Sequence, residues 1–243
     1  MTLSREHYLT SLRRDGGDLA AAARGNLEAR VPGCPEWNVA DLVDHIGEVH
    51  RFWGQIAGGT TNPRDTVRES PPAPELVVEW YEEGLAKLVE TLRTIDPDLP
   101  IWTWAPVANP TASWIVRRMT QETAVHRWDA QQATGNVKPI EAELASDGID
   151  EILYVFLPAK LDRHNGGGET VHIHCTDVAG EWMVRLNDGG FEVTSEHGKG
   201  DAALRGPASD LLLALWGRIP FERVELIGDE TVPPKLLAAI DRE

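Results

Sequence analysis

The most informative segment for predicting the fold of this chain is Trp114-Ile-Val-Arg-Arg-Met-Thr-Gln-Glu-Thr-Ala-Val-His-Arg-Trp-Asp-Ala130. Its pattern predicts one helix that spans roughly Thr111 to Thr134 and is closed by Gly135. At about 100° per residue, six of its side chains fall within one arc of about 80°. These are Ile115, Met119, Glu122, His126, Ala130 and Ala133. A helical bundle normally buries such a stripe. Burying an unpaired carboxylate costs several kcal/mol of free energy, so a carboxylate and an imidazole at these positions require a compensating interaction.

A metal site would provide one such interaction. Glu122 and His126 lie four residues apart, which brings both side chains over one point, as in metal-binding helices. A second predicted helix, from about Val39 to Ala57, carries His45 on one edge of its apolar face and His50 on the opposite edge. Either histidine could reach the interior of a bundle, and periodicity does not choose between them.

Two histidines and one carboxylate would leave one coordination position free, which is typical of catalytic rather than closed structural zinc sites. A metal held there would lower the pKa of a bound thiol so that the thiol becomes a thiolate. The donor set fits zinc best, although such sets also suit iron, nickel or manganese. A Glu-x-x-x-His pair is also common on solvated helix surfaces, and the residue pattern alone does not decide between the two interpretations.

The chain before this stretch is predicted to be helical. Three further helices are expected at residues 4–29, at Val39–Ala57 with Asn38 as N-cap, and at Pro74–Thr94, so the four together predict an antiparallel bundle. After the bundle, residues 141–163 are predicted to form one more helix.

The glycine run at residues 165–168 is the clearest linker signal, and beyond it the periodicity changes from 3.6 towards 2. Strands are predicted at 170–176, 181–186 and 190–194, followed by a helix at 207–217, a strand at 223–227 and a helix at 233–241. We therefore predict an α+β fold with two domains, a metal-binding helical bundle at residues 1–163 and a small α+β domain at 164–243.

The composition excludes several classes of partner. The formal net charge is −16, which disfavours binding to nucleic acid or to anionic membrane surfaces. No stretch approaches the roughly 20 apolar residues of a transmembrane helix, and the N-terminus has no signal-peptide core. Cys34 and Cys175 lie in unlike contexts, which fits two reduced thiols better than a disulfide. We therefore expect a cytoplasmic protein.

Two motifs resemble a known family. The segments 31–45, Val-Pro-Gly-Cys-Pro-Glu-Trp-Asn-Val-Ala-Asp-Leu-Val-Asp-His, and 114–130, quoted above, resemble the mycothiol-dependent maleylpyruvate isomerase family. The resemblance extends more loosely over residues 171–177 and 210–218, and so covers nearly the whole chain. It implies a DinB-like four-helix bundle joined to a small C-terminal domain similar to sterol-carrier proteins.

The resemblance also implies a set of ligands and a chemistry. It assigns the metal to His45, Glu122 and His126, and so favours His45 over His50. Members of the family use the metal to bind the thiol of mycothiol, whose thiolate adds to an electrophilic carbon and gives isomerisation or net S-transfer. The expected partners are therefore a small thiol and a small electrophile, acting on a monomer or a homodimer.

Further site residues are expected outside the metal cluster. The resemblance implies a C-terminal arginine that handles an acidic substrate, and Arg185, Arg205 and Arg218 are candidates, with Arg185 and Arg218 taken as catalytic. Each could instead be a solvated surface arginine. Trp102 and Trp104 are expected to bind the sugar-bearing thiol as a roof over its pocket, or alternatively to anchor their loop to the core.

Three smaller expectations complete the prediction. Asp129 is a candidate to orient His126, or alternatively to pair with Arg127. Cys34 is expected to pack, because no cationic or basic group is evident beside it. His172 and His174 faintly indicate a second metal, but a single strand rarely makes a site alone, so this hypothesis is not favoured.

Three functions compete at this point. The first is a metal-dependent thiol transferase or isomerase. The second is a non-catalytic binding or sensor protein, which the unplaced arginine and the lipid-binding relatives of the C-terminal domain would fit. The third is a structural helical module in which the metal stripe is a coincidence.

Overall fold

The computed structural model describes residues 3–71, 73–159 and 166–240, and its fold is α+β, as predicted. The described chain forms two compact units. The first comprises Leu3–Trp104 and Ala108–Lys138, and the second comprises Ala105–Val107 and the residues from Pro139 onward. The boundary predicted between residues 163 and 164 lies outside the described residues. The helix that follows Pro139 belongs to the second unit.

Four long helices form the first unit. They are α1 Arg5–Ala23, α2 Val39–Ala57, α3 Val77–Thr94 and α4 Ala112–Thr134. Helix α1 packs on α3 and α4, and α2 also packs on α3 and α4, so each of the four helices contributes to one core. The predicted four-helix bundle is therefore confirmed, and α4 lies deep within it, with most of its residues buried.

Local sequence explains where these helices begin and end. The Asn38 side chain accepts a hydrogen bond from the Asp41 backbone, and the Asp41 carboxylate accepts one from the Asn38 backbone, which gives α2 a capping box. Gly135 ends α4 with a φ of 80°, a left-handed conformation that favours glycine. Helix α1 ends at Ala23 rather than near residue 29, because Gly25 adopts a φ of 76°.

The second unit begins with a nearly continuous helical segment. Helix α5, Ala142–Glu151, runs into a π-helical turn, Ile152–Phe156, and then into the short helix α6, Leu157–Ala159. The helix predicted over residues 141–163 therefore matches the described part, and its last residues lie outside that part. Two more helices follow the sheet strands, α7 Ala208–Leu215 and α8 Val232–Ala239.

A five-stranded sheet completes the second unit. Its strands are β1 Thr170–Cys175, β2 Glu181–Asn187, β3 Gly190–Thr194, β4 Ala202–Gly206 and β5 Glu225–Gly228. The order is β3-β2-β1-β4-β5, in which β1 and β4 run parallel and the other neighbours run antiparallel. Strands β1 to β3 are the predicted meander.

Strand β4 was not predicted. Its sequence, Ala-Ala-Leu-Arg-Gly, lacks the β-branched and aromatic residues that mark a strand, so it forms through tertiary pairing with β1 and β5. One face of β1 is apolar, with Val171 and Ile173 fully buried, and the opposite face carries His172 and His174. None of the helices described here is both long enough and apolar enough to cross a bilayer.

Candidate metal centre

Helices α2 and α4 bring His45, Glu122 and His126 together. One potential ligand atom from each residue lies within 4.8 Å of the other two. The Glu122 Oε1 atom is 3.6 Å from His45 Nε2 and 3.3 Å from His126 Nε2, and the two imidazole ring centroids are 5.3 Å apart. The three predicted ligands therefore converge on one point, from two helices that are far apart in sequence.

His50 lies elsewhere, in the core of the bundle. Its ring is fully buried, with Nε2 2.9 Å from the Thr123 hydroxyl and the ring centroid 5.5 Å from that of Tyr81. Burial lowers the pKa of His50 to about 3, so this imidazole is neutral at physiological pH. Of the two histidines that periodicity left open, His45 is the one beside Glu122.

Arg118 fixes the orientation of the Glu122 carboxylate. Its guanidinium, one turn earlier on α4, donates to Glu122 Oε2 at 2.5 Å and is only 4% exposed, so Oε1 is left facing the two histidines. Burial alone would raise the pKa of Glu122, but Arg118, followed by the hydrogen bonds with His126 and His45, lowers that pKa well below its usual value. The carboxylate is therefore ionised and available to a cation.

Sequence reasoning missed Arg118, although a signal was present. Arginine and glutamate four residues apart on a helix are neighbours, and Arg118 lies in the same quoted stretch as Glu122. The ion pair with Arg118 offsets much of the free-energy cost of burying the Glu122 carboxylate.

Asp129 lies behind His126. Its fully buried carboxylate is 3.1 Å from His126 Nδ1, and this contact turns Nε2 of the ring towards Glu122. Burial lowers the pKa of His126, but the hydrogen bonds with Asp129 and Glu122 outweigh it and raise that pKa to about 9. The arrangement matches the orienting role expected for Asp129. The Arg127 guanidinium lies beside a different carboxylate, that of Asp15, at 3.6 Å between Nε and Oδ1.

The donor set fits a divalent cation. Two imidazoles and the ionised carboxylate of Glu122 converge. The buried carboxylate of Asp129 holds the His126 imidazole, and the buried guanidinium of Arg118 holds Glu122. Metal sites use such supporting hydrogen bonds to orient their ligands. The His45 side chain is 36% exposed and that of Glu122 is 23% exposed, so one side of the cluster is open. Trp37 flanks the cluster, with its ring centroid 4.8 Å from that of His45.

Trp102 belongs to an aromatic cluster of the same unit. It stacks on Trp53, at 6.1 Å between ring centroids and 22° between planes, and it contacts Phe52 edge-on. Trp114 lies 5.0 Å from Trp53 and 6.0 Å from Trp104, which is 44% exposed. These contacts match the anchoring alternative for Trp102, and the thiol-binding role of Trp102 and Trp104 stays a prediction.

A cavity of about 360 Å³ lies beside this aromatic cluster. It is bounded by α2 and by the loop that follows it, and it is lined by Glu48, Val49, Arg51, Phe52, Trp53, Thr66, Val67, Arg68 and Glu69. Phe52 and Trp53 are shared between the cavity and the aromatic cluster. A pocket with an aromatic wall and several charged groups at its edge can hold a small polar molecule.

The arginine candidates lie in the second unit. Arg185 donates to the Gly168 carbonyl at 3.1 Å, and Arg205 pairs with Glu225 at 2.8 Å, both with half-exposed side chains. Arg218 donates to the Trp216 carbonyl at 3.2 Å. Arg185 and Arg205 are thus engaged by their own sheet, as the surface interpretation expects, and a catalytic role for any of the three stays a prediction.

The two cysteines form no disulfide, and Cys175 lacks the character of a catalytic nucleophile. Cys175 is a buried free thiol, and burial raises its pKa to about 12. Cys34 forms no disulfide and is a half-buried thiol in the turn before α2.

Comparison with known proteins identifies the family. Residues 9–131 match the model of the mycothiol maleylpyruvate isomerase N-terminal domain, and residues 143–235 match that of the family's C-terminal domain. No curated protein sequence matches significantly.

Two crystal structures share the fold. They are the mycothiol-dependent maleylpyruvate isomerase, with a TM-score of 0.64, and a histidine-to-alanine mutant of it, with a TM-score of 0.66. Each is 15% identical in sequence, and the match covers 93% of this chain and 95% of the other. The two family models together span most of the sequence, and this chain therefore belongs to the mycothiol maleylpyruvate isomerase family of enzymes.

Proposed function

We propose that this protein is a metal-dependent enzyme that activates mycothiol, or a related small thiol, for isomerisation of a small electrophilic substrate or for S-transfer to it. The observation that carries the proposal is the convergence of His45, Glu122 and His126 on one partly open point. Family membership supports the choice of thiol, because the solved relatives are mycothiol-dependent maleylpyruvate isomerases.

Three protein ligands are proposed to hold the cation, with zinc as the best fit. His45 and His126 would each offer Nε2 and Glu122 would offer Oε1, which leaves a coordination position for a small molecule. When bound, such a metal lowers the pKa of a coordinated thiol, so that the thiolate is available at neutral pH.

The surrounding residues prepare these ligands. Arg118 neutralises one oxygen of Glu122 and holds the other towards the histidines, while Asp129 accepts from His126 Nδ1–H so that Nε2 presents its lone pair. Because the pKa of His126 is raised to about 9, a cation would displace a proton from that ring on binding. With both imidazoles then neutral, the two carboxylates and one guanidinium give the ligands a net negative charge, which attracts a divalent cation.

The aromatic cluster is the proposed binding place for the bulk of the thiol. Trp102 and Trp104 belong to this cluster, and Trp104 is 44% exposed. A sugar-bearing thiol offers apolar ring faces that can stack on an exposed indole. Arg185 and Arg218 remain the proposed candidates for contact with an acidic substrate.

A non-catalytic binding protein is the alternative. The observation that favours it is the engagement of Arg185 by its own sheet, since a substrate-handling arginine needs a free head group. We also propose a cytoplasmic location, which the two cysteine thiols, neither of them in a disulfide, support.

Turnover with the thiol tests the proposal. Metal-loaded protein is incubated with mycothiol and maleylpyruvate or a panel of other electrophiles, and thiol consumption and isomer formation are measured. We expect turnover that Glu122→Gln abolishes and that Glu83→Gln, an exposed carboxylate on α3, leaves unchanged. Tight binding of mycothiol without any chemical change would contradict the enzyme and support the binding protein.

A further inference from the structure

Three histidines of the second unit meet at a single carboxylate oxygen of Glu181. The Glu181 Oε1 atom lies 2.8 Å from His172 Nε2, 3.2 Å from His174 Nδ1 and 2.6 Å from His197 Nδ1. One atom from each of His172, Glu181 and His197 lies within 4.8 Å of the others, and the His172 ring centroid is 5.9 Å from that of His174.

The sheet itself places three of these residues together. Side chains alternate along a strand, so His172 and His174 of β1 point to the same face. The antiparallel register sets His174 directly opposite Glu181 of β2, and His172 opposite Met183, which makes His172 the diagonal neighbour of Glu181. Cross-strand neighbours of this kind are within reach of long side chains, so the sheet builds a three-residue group without help from a loop.

The fourth residue comes from the segment 195–201, which follows β3 and leads to β4. Two glycines of this segment lie against the sheet. A Cβ atom at Gly198 would be 3.0 Å from Met183 Cε, and a Cβ atom at Gly200 would be 2.7 Å from the Ala202 carbonyl oxygen and 3.0 Å from the His172 backbone nitrogen. Glycine at both positions therefore permits a close approach that puts His197 over Glu181.

Hydrogen bonding alone is a poor account of this convergence. A carboxylate oxygen has two lone pairs, yet three ring nitrogens crowd one oxygen of Glu181. The hydrogen bond with His197 lowers the pKa of Glu181, and the hydrogen bonds with His172 and His174 lower it further. Burial raises this pKa but does not outweigh the three histidines, so the carboxylate is ionised. Imidazole nitrogens and a carboxylate oxygen gathered at one point form a set of ligand atoms that transition-metal cations prefer.

We propose that His172, His174, Glu181 and His197 form a second site for a divalent transition-metal cation, of which zinc is the best probe. Imidazole and carboxylate ligands suit zinc, copper and nickel, and four protein donors are the number that closed structural zinc sites use. The ligands would link strands β1 and β2 to the segment 195–201. The proposal concerns the second unit alone and does not depend on the proposed enzymatic function.

The site is structural in character. His172 is only 8% exposed, whereas the His197 side chain is 81% exposed and lies on a segment outside the regular strands. A cation shared by the two would fasten that segment to the sheet and stabilise the native state in proportion to its binding.

Metal titration in a background that lacks the bundle ligands tests the proposal. The full-length protein carries His45→Ala and His126→Ala without an affinity tag, and it is titrated with Co²⁺, whose visible absorption reports coordination, and then with Zn²⁺ in competition. We expect one equivalent of Co²⁺ to bind with absorption bands typical of low coordination, and to be displaced by Zn²⁺. We also expect Zn²⁺ to slow hydrogen exchange in the segment 195–201.

Three variants locate the binding. Glu181→Gln and His197→Ala should each weaken binding by more than about tenfold, while Glu192→Gln, an exposed carboxylate on the adjacent strand β3, should leave it unchanged. Because His197 is exposed, its variant should retain the near-ultraviolet circular dichroism of the parent. Absence of saturable binding in a folded background protein, or binding that survives both ligand substitutions, would overturn the proposal.

Discussion

In each of two regions of the molecule, histidines lie around a glutamate, and the two arrangements arise in different ways. In the bundle, Glu122 and His126 come from one helix and His45 from another, and helical spacing alone brings two of the three together. In the second unit, Glu181 is surrounded through cross-strand register and a returning segment. Two of the three residues of the first cluster can therefore be predicted from one stretch of sequence, whereas the second cluster depends on pairing between strands that no local pattern reveals.

The two glutamates also differ in what supports them. Glu122 is held by the buried guanidinium of Arg118, and His126 is held by the buried carboxylate of Asp129. The recorded partners of Glu181 are histidines, one of which is largely exposed. We infer that the side chains of the bundle cluster are held more rigidly than those of the sheet cluster when no cation is bound.

The largest effect is expected from removing the charge at the centre of the bundle cluster. Glu122→Gln removes an anionic ligand and leaves the Arg118 guanidinium without its ionised partner, so metal affinity should fall by at least about 100-fold. Isothermal titration with Zn²⁺, in a His197→Ala background that weakens the second site, measures this fall. Glu83→Gln in the same background is the control, and an unchanged affinity in Glu122→Gln would break the comparison.

Removing the supporting guanidinium should cost stability even without a metal. Arg118→Met removes the guanidinium from Glu122 Oε2 and leaves the partly buried carboxylate with its histidine neighbours alone, so the free energy of unfolding of metal-free protein should fall by about 2 kcal/mol. Urea unfolding followed by helical circular dichroism measures the change. The double variant Arg118→Met with Glu122→Gln should recover part of the loss, and a double variant that is less stable than Arg118→Met would contradict the pairing.

A smaller effect is expected at the residue behind His126. Asp129→Asn keeps the shape of the side chain but removes the charge that holds His126 Nδ1–H, so Zn²⁺ affinity should fall by about 10- to 100-fold. Competition with a chromophoric chelator measures it. The fold should persist, which the helical signal checks, and a loss of less than about threefold would show that Asp129 does not orient the ligand.

The smallest effect is expected in the sheet. In metal-free protein, Glu181→Gln should change the free energy of unfolding by less than about 1 kcal/mol, because Glu181 sits near the surface with imidazole partners. Thermal unfolding with and without Zn²⁺ measures it. In a background that carries His45→Ala and His126→Ala, the protein that keeps Glu181 should gain stability with Zn²⁺ and the Glu181→Gln variant should not, so equal gains in both would remove the contrast between the two clusters.

Helical periodicity explains why so much of the first unit could be predicted. Capping by Asn38, termination at Gly135 and the four helices all follow from local sequence, and the placement of Glu122 and His126 follows from 3.6 residues per turn. The choice of His45 over His50 did not follow from periodicity. It needed the family resemblance, because both residues border the same apolar face and only tertiary packing buries His50 against Thr123.

The second unit was harder to read for a physical reason. Strand β4 is held by parallel pairing with β1, and such non-local pairing leaves little trace in its own residues. His172 and His174 were noticed as a strand pair, but Glu181 and His197 were not joined to them. Only the register opposite His174 and the glycines of the segment 195–201 bring those two residues in.

The most direct test of the central claim is the position of the bound cation. Crystals of tag-free protein reconstituted with zinc are measured above and below the zinc absorption edge. We expect an anomalous peak within bonding distance of His45 Nε2, Glu122 Oε1 and His126 Nε2, and we expect it to disappear in His126→Ala. A fully reconstituted crystal with no peak at these three atoms would contradict the proposed metal site in the bundle, whatever is found at Glu181.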